Sequence, residues 1–241
     1  MTVTADVLLA GIVLLGSCVQ WLTGMGFALV AVPALILLLG PAQGVVLANC
    51  AAGVICLVGL AGGWRLVRPR AMVPLCAAAA CTVPAGTWLT HRLPQPWLLL
   101  VMGGLVTVAV LLVLRGARVA ALRDTRGAVW AGAAGGFMNS AAGVGGPPFS
   151  LYAVNAGWTV REFVPNAMFY GVVVNAFSVA SNGVPGLRGP QWALVIAAMA
   201  AGALIGRGLA PRIPENRARL LVLSLALLGG VTAVAKGLWG L

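Results

Sequence analysis

Any chemistry in this chain must come from neutral groups around two glycine-rich interruptions. The first is Thr23-Gly24-Met25-Gly26-Phe27. The second is Asn139-Ser140-Ala141-Ala142-Gly143-Val144-Gly145-Gly146-Pro147-Pro148. Residues 143–148 hold three glycines and two prolines. Such a run cannot continue a helix, because glycine adds backbone freedom and proline removes a donor and clashes with the preceding turn. A half-helix that starts after a break presents unpaired N–H groups and about half a positive charge. That end holds an anion without any charged side chain. Such starts are predicted near Phe27 and Phe149, with glycines that let a ligand approach the backbone. Asn139 and Ser140 supply polar side chains at the second break, loosely matched by Gln20 and Thr23 at the first. Two structural roles compete with binding. The glycines permit tight helix crossing, and Asn139 and Ser140 satisfy backbone groups that the break sets free.

The elements that position these residues are membrane helices. The chain has 241 residues, of which 61% are hydrophobic and 8% charged. Its mean hydropathy of +1.03 excludes a soluble domain of this size. Apolar runs cover 5–22, 27–40, 43–64, 72–90, 95–114, 127–140, 149–157, 160–182, 190–209 and 220–239, with Pro33 inside the second. The net charge of +11 comes from arginines clustered in short loops, as the positive-inside rule expects. That places the chain in a lipid bilayer and removes the need for nucleic acid as a partner. The five cysteines lie in apolar runs of the first half and read as small buried hydrophobes, with no metal or other cofactor expected. Asp6 and the lack of any Lys or Arg before Arg65 argue against a cleaved signal peptide.

The two halves look duplicated. Gly24 and Gly143, like Gly26 and Gly145, are separated by 119 positions. Gly86 and Gly206, Arg92 and Arg212, and Pro94 and Pro214 are separated by 120. The expected organisation is a first membrane repeat over 1–114, a basic linker over 115–126 and a second repeat over 127–241. Each repeat is a broken or re-entrant helix pair followed by three transmembrane helices. If each broken pair makes an even number of crossings, loops 65–70, 115–126 and 211–219 all fall inside, and Arg92, Arg188 and Lys236 fall outside. The expected fold is therefore an all-α polytopic membrane protein with inverted repeats and both termini outside. Broken helices in corresponding positions of two such halves mark a transporter's binding site.

With that architecture, the two motifs resemble those of the sulfite exporter TauE/SafE family. Thr23-Gly24-Met25-Gly26-Phe27 with Pro33 is similar to its first glycine motif. Gly135-Gly136-Phe137-Met138-Asn139-Ser140-Ala141-Ala142-Gly143-Val144-Gly145-Gly146-Pro147 is similar to its second. The resemblance implies export or permeation of small sulfur-containing or carboxylate anions across the bacterial inner membrane, with sulfite, sulfoacetate and thiosulfate as the typical suggestions.

The expected substrate-binding residues are Thr23, Gly24, Gly26, Asn139, Ser140, Gly143, Gly145, Gly146, Asn166 and Tyr170. Asn166 and Tyr170 share a helix face at i, i+4. Interhelical hydrogen bonding is the competing role for them, as for Asn49 and Asn175. No acidic residue lies in mid-span, so a carboxylate proton relay has no candidate. An intramembrane hydrolase built on Ser140 lacks an intramembrane His or Asp to activate the serine. The sequence is thus read as a non-enzymatic carrier of a small anionic substrate. A passive anion channel, a membrane subunit of a larger assembly and a homo-oligomer are also compatible with it.

Overall fold

The computed structural model describes residues 3–24, 26–115, 123–210, 212 and 215–240. Met25, most of the basic linker and residues 211, 213 and 214 lie outside the described residues. The described residues are helical throughout: α1 (Val3–Thr23), α2 (Phe27–Leu39), α3 (Pro41–Leu60), α4 (Pro69–Arg92), α5 (Gln95–Leu114), α6 (Thr125–Ala142), α7 (Gly146–Asn155), α8 (Val160–Asn182), α9 (Gly189–Leu209) and α10 (Glu215–Trp239). A single 3₁₀ turn, Trp64–Leu66, precedes α4. Six of these helices are long and apolar enough to cross a membrane: α1, α3, α4, α5, α8 and α9. The chain is an all-α, multi-pass membrane protein.

Helix limits follow local chemistry. The Asp124 carboxylate accepts the Gly127 amide at 3.0 Å and starts α6 two residues before the expected 127. Thr159 and Glu162 form a reciprocal capping box at the start of α8. Pro147 and Pro148 were expected inside the second break and prove to belong to the first turn of α7. Their missing N–H groups cost nothing there, because first-turn amides have no intrahelical partner. The break itself shrinks to Gly143, Val144 and Gly145. Gly24 and Gly143 both take left-handed backbones, with φ of 74° and 68°. Each therefore turns the chain sharply at the end of the long helix before it.

Both broken pairs fold back on themselves. Gly16 on α1 meets the Phe27 ring and Ala31 of α2, so the two helices run antiparallel. Gly145, at the head of α7, lies against Asn139 and the Gly135 carbonyl of α6. Across the halves, α1 and α9 run parallel. Asp6 accepts a hydrogen bond from Gln191 at 2.9 Å, Ser17 donates to the Met199 carbonyl at 2.8 Å, and Gly206 presses on the backbone of Cys18. The corresponding pair in the other half, α4 and α6, also runs parallel. Gly132 and Gly136 lie on the Leu75 and Ala79 carbonyls, and Ser140 reaches Val83. Glycines at these crossings let the backbones approach closely, which drives helix association in lipid.

The remaining pairs are α3 with α8 and α5 with α10, both antiparallel. Gly53 faces Asn175 and Gly59 faces Met168, while Gly103 faces Gly230 and Gly237 faces Leu100. One apolar core joins α1, α2, α3, α5, α9 and α10, and a second joins α4, α6, α7 and α8. Helix α1 is thus packed against α9, and α6 against α4.

Candidate functional site

The two breaks meet. The first turns of α2 and α7, the end of α1, and the facing sides of α3, α6 and α8 enclose a cavity of about 60 Å³. A single buried water needs about 10–15 Å³ on this measure, so the space suits about four waters or an anion of similar size. Its wall includes Gln20, Gly26, Asn139, Gly143, Gly145, Gly146, Tyr170 and Asn175, with Cys56 and several small apolar residues. Among the described residues no Lys, Arg, His, Asp or Glu lines it. A larger, mostly apolar cavity lies between α5, α6 and α7, lined by residues such as Leu105 and Leu151, and the Trp130 indole is the polar side-chain group among its described lining residues.

Each half-helix is capped by a carboxamide from the helix before it. Gln20 Oε1 accepts the Gly26 amide at 2.8 Å and the Phe27 amide at 2.9 Å. Asn139 Oδ1 accepts the Gly145 amide at 3.2 Å. These amide donors settle which side-chain atom is oxygen. Gln20 and Asn139 are 119 positions apart, the same offset as their glycine partners. The symmetry of the breaks therefore extends to their caps.

Asn139 is also the hub of a buried network. Its Nδ2 donates to Ser178 Oγ at 2.9 Å, to Asn175 Oδ1 at 3.0 Å and to Asn49 Oδ1 at 3.3 Å. Asn49 Nδ2 returns a bond to the Asn139 carbonyl at 3.3 Å. Three acceptors share two hydrogens, which ties α3, α6 and α8 together at one point. Gln20 Nε2 is less well served. Its acceptors are the Gly24 carbonyl at 3.4 Å and the sulfurs of Cys56 at 3.7 Å and Met168 at 4.0 Å.

Tyr170, on the cavity wall, carries a buried hydroxyl. The residue is 2% exposed, and its hydroxyl has no hydrogen-bond partner among the described residues. Its ring stacks on Phe149 at 5.1 Å between centroids, within an aromatic group that includes Phe163 and Trp158. Gly135 leaves room for the hydroxyl, since any side chain there would collide with it. A buried hydroxyl without a partner is costly, so a native structure that keeps one has a use for it.

Of the residues expected to bind substrate, Gly26, Asn139, Gly143, Gly145, Gly146 and Tyr170 line this cavity. Thr23, Gly24, Ser140 and Asn166 do not. Thr23 Oγ1 bonds back to the Val19 carbonyl at 3.0 Å. Gly24 lies against Val164. Ser140 Oγ donates toward the Val83 carbonyl at 2.8 Å and lies under Gly86, where it joins α6 to α4. Asn166 accepts the Arg68 amide at 2.8 Å and donates to the Glu162 carbonyl at 2.6 Å, fastening the start of α4 to α8. Arg68 also pairs with Glu162 there. Ser178 and Cys56 were not singled out in the sequence. Ser178 looks like one of many small helix residues until its contact with Asn139 is seen.

Two broken helices meet at a small neutral polar cavity within an all-α, multi-pass membrane fold, an arrangement of the kind found at transporter binding sites. The family model described as sulfite exporter TauE/SafE matches residues 8–233, and the chain belongs to that family. Its members are membrane transporters rather than enzymes. No curated protein and no solved structure matches the chain.

Proposed function

We propose that this protein carries a small sulfur oxyanion or organosulfonate, of the sulfite, thiosulfate or sulfoacetate kind, across the bacterial inner membrane. The cargo sits in the cavity where α2 and α7 begin. The observation that carries this reading is the convergence of two half-helix N-termini on one small space whose wall includes Tyr170, a residue with a buried hydroxyl that has no partner among the described residues. Helix N-termini favour negative charge. The absence of acidic side chains from the wall disfavours a cation. Gly26, Asn139, Gly143, Gly145, Gly146 and Tyr170 form the binding set, with Gln20 added. Thr23, Gly24, Ser140 and Asn166 support the surrounding helices.

The halves are read as inverted repeats. Helices α1 and α2 are antiparallel, and the short Gly40 turn folds α3 back along α2, with Gly44 against Leu35 and Ile36. Thus α3 runs with α1. Helix α8 opposes α3, and α6 runs with α8, since Gly135 meets Tyr170, Asn139 meets Ser178 and the Ser140 carbonyl meets Asn182. By this chain of contacts α6 opposes α1, its counterpart. If the ten helices alternate, loops 65–70, 115–126 and 211–219 share one face, the inside by their charge.

The experiment is counterflow in proteoliposomes. Vesicles preloaded with sulfite should accelerate uptake of labelled sulfite or a related sulfonate, as a carrier does. Flux without acceleration by internal substrate would point instead to a channel. A response confined to small carboxylates would reassign the cargo, and no response to any small anion would remove the proposal.

A further inference from the structure

Resting on the anion reading above, we infer that the cavity takes a monoanion and rejects dianions. This narrows the cargo proposed above to hydrogensulfite and singly charged alkanesulfonates; the sulfite dianion, thiosulfate, doubly charged sulfoacetate and sulfate do not fit. The argument is one of charge and donors. Among the described residues no cationic side chain lines the cavity. The positive field comes from two helix ends, α2 of 13 residues and α7 of 10. Each end contributes roughly half an elementary charge, so together they offset about one.

The donors are all neutral. Gln20 takes the Gly26 and Phe27 amides, and Asn139 takes that of Gly145. Pro147 and Pro148, in the first turn of α7, have no N–H to give. What remains around the wall is a set of neutral donors: the Tyr170 hydroxyl, the Gly146 amide, the first-turn amides of Ala28 and Leu29, Asn175 Nδ2 and the weakly engaged Gln20 Nε2. That set can serve one charge spread over a few oxygens. The cost of taking an ion out of water grows with the square of its charge, so a dianion of the same size loses about four times the hydration of a monoanion. Nothing on this wall replaces the difference. The cavity thereby distinguishes oxyanions by protonation state, which shape alone does not do.

The test is equilibrium binding to the purified full-length protein as pH is varied. Methanesulfonate is a monoanion throughout, sulfate is a dianion, and sulfite passes from monoanion to dianion. The titratable groups on the wall are the Cys56 thiol from α3 and the Tyr170 phenol from α8. Thiols and phenols are ordinarily neutral below about pH 8, so the range is kept under that. Methanesulfonate affinity should stay flat across the range. Apparent sulfite affinity should fall with rising pH, approaching about tenfold per unit once the dianion dominates. Sulfate should bind at least about 100-fold more weakly than methanesulfonate, a gap of about 2.7 kcal/mol. Sulfate binding as tightly as methanesulfonate, or sulfite binding that strengthens with pH, would overturn this inference and leave the anion reading standing. Failure of every anion to bind would overturn both.

Discussion

Asn139 and Gly145 face each other across the second break, the side-chain oxygen of one accepting the amide of the other at 3.2 Å. A carboxamide oxygen sits where an anion's oxygen would sit on a helix end. Gln20 does the same for Gly26 at 2.8 Å. On the proposed reading, the protein fills part of its own anion site with neutral dipoles, which would moderate affinity without a charged competitor. A carrier has to release its load, and weak neutral binding suits that task.

Asn139→Ala removes this cap and the hub that joins Asn49, Asn175 and Ser178. Each buried group left without a partner costs about 1–3 kcal/mol. The variant should lose thermal stability in detergent as well as transport. Ser178→Ala removes one of three competing acceptors and should cost well under half as much. Equal thermal shifts for the two variants would contradict the hub assignment.

Gln20→Glu keeps an acceptor oxygen for the Gly26 and Phe27 amides, replaces the Nε2 donor with a second oxygen and adds a negative charge at the cavity wall. A carboxylate at a helix N-terminus is tolerated by the fold. It repels an anionic cargo at close range. Anion uptake at neutral pH should therefore fall by at least about tenfold, on the order of 1.4 kcal/mol, while the melting temperature stays near that of the parent. Unchanged uptake would place the cargo away from the start of α2.

Gly136→Val puts a branched side chain into the Ala79 carbonyl on α4, where even a methyl group has no room. Overpacking of this kind typically costs about 1–3 kcal/mol, and here it separates two parallel helices that hold the second break in place. Folded yield by size-exclusion chromatography should drop. Gly104→Val is the control, because nothing lies within 4 Å of a side chain built there. Equal yields would mean that α4 and α6 do not cross closely.

Tyr170→Phe separates binding from folding. The hydroxyl has no partner among the described residues, so its loss should leave stability unchanged or slightly raised. Substrate affinity should fall by about 3–10-fold, the worth of one neutral hydrogen bond at about 0.5–1.5 kcal/mol. A loss of stability without a loss of affinity would make Tyr170 a packing residue only.

Much of this arrangement can be read in the sequence, and the parts that cannot have physical causes. Glycine and proline punctuation locates both breaks, because few other residues interrupt an apolar helix. The offset of 119 pairs Gly24 with Gly143, and both prove left-handed. Hydroxyl and carboxamide side chains near a break are ambiguous, however. Ser140 and Thr23 bond to helix carbonyls, whereas Asn139 reaches across the break, and nothing in the sequence distinguishes a donor aimed at backbone from one aimed at a cavity. Asn166 and Tyr170 sit one turn apart on α8, yet Asn166 fastens the loop before α4 while Tyr170 points into the site. Prolines mark the end of one helix and the first turn of the next equally well, so Pro147 and Pro148 were assigned to the wrong side of the boundary.

The central claim is that an anion sits between the first turns of α2 and α7, against Tyr170. The most direct measurement is an anomalous difference map from crystals of the protein grown with selenite, a heavier analogue of sulfite. The account predicts a selenium peak in the cavity bounded by Gln20, Gly26, Asn139, Gly146 and Tyr170, with an oxygen in hydrogen-bond reach of Tyr170 Oη, and its weakening in Tyr170→Phe. A peak found only among the arginine-rich loops, or an empty cavity in protein that still transports selenite, would contradict it.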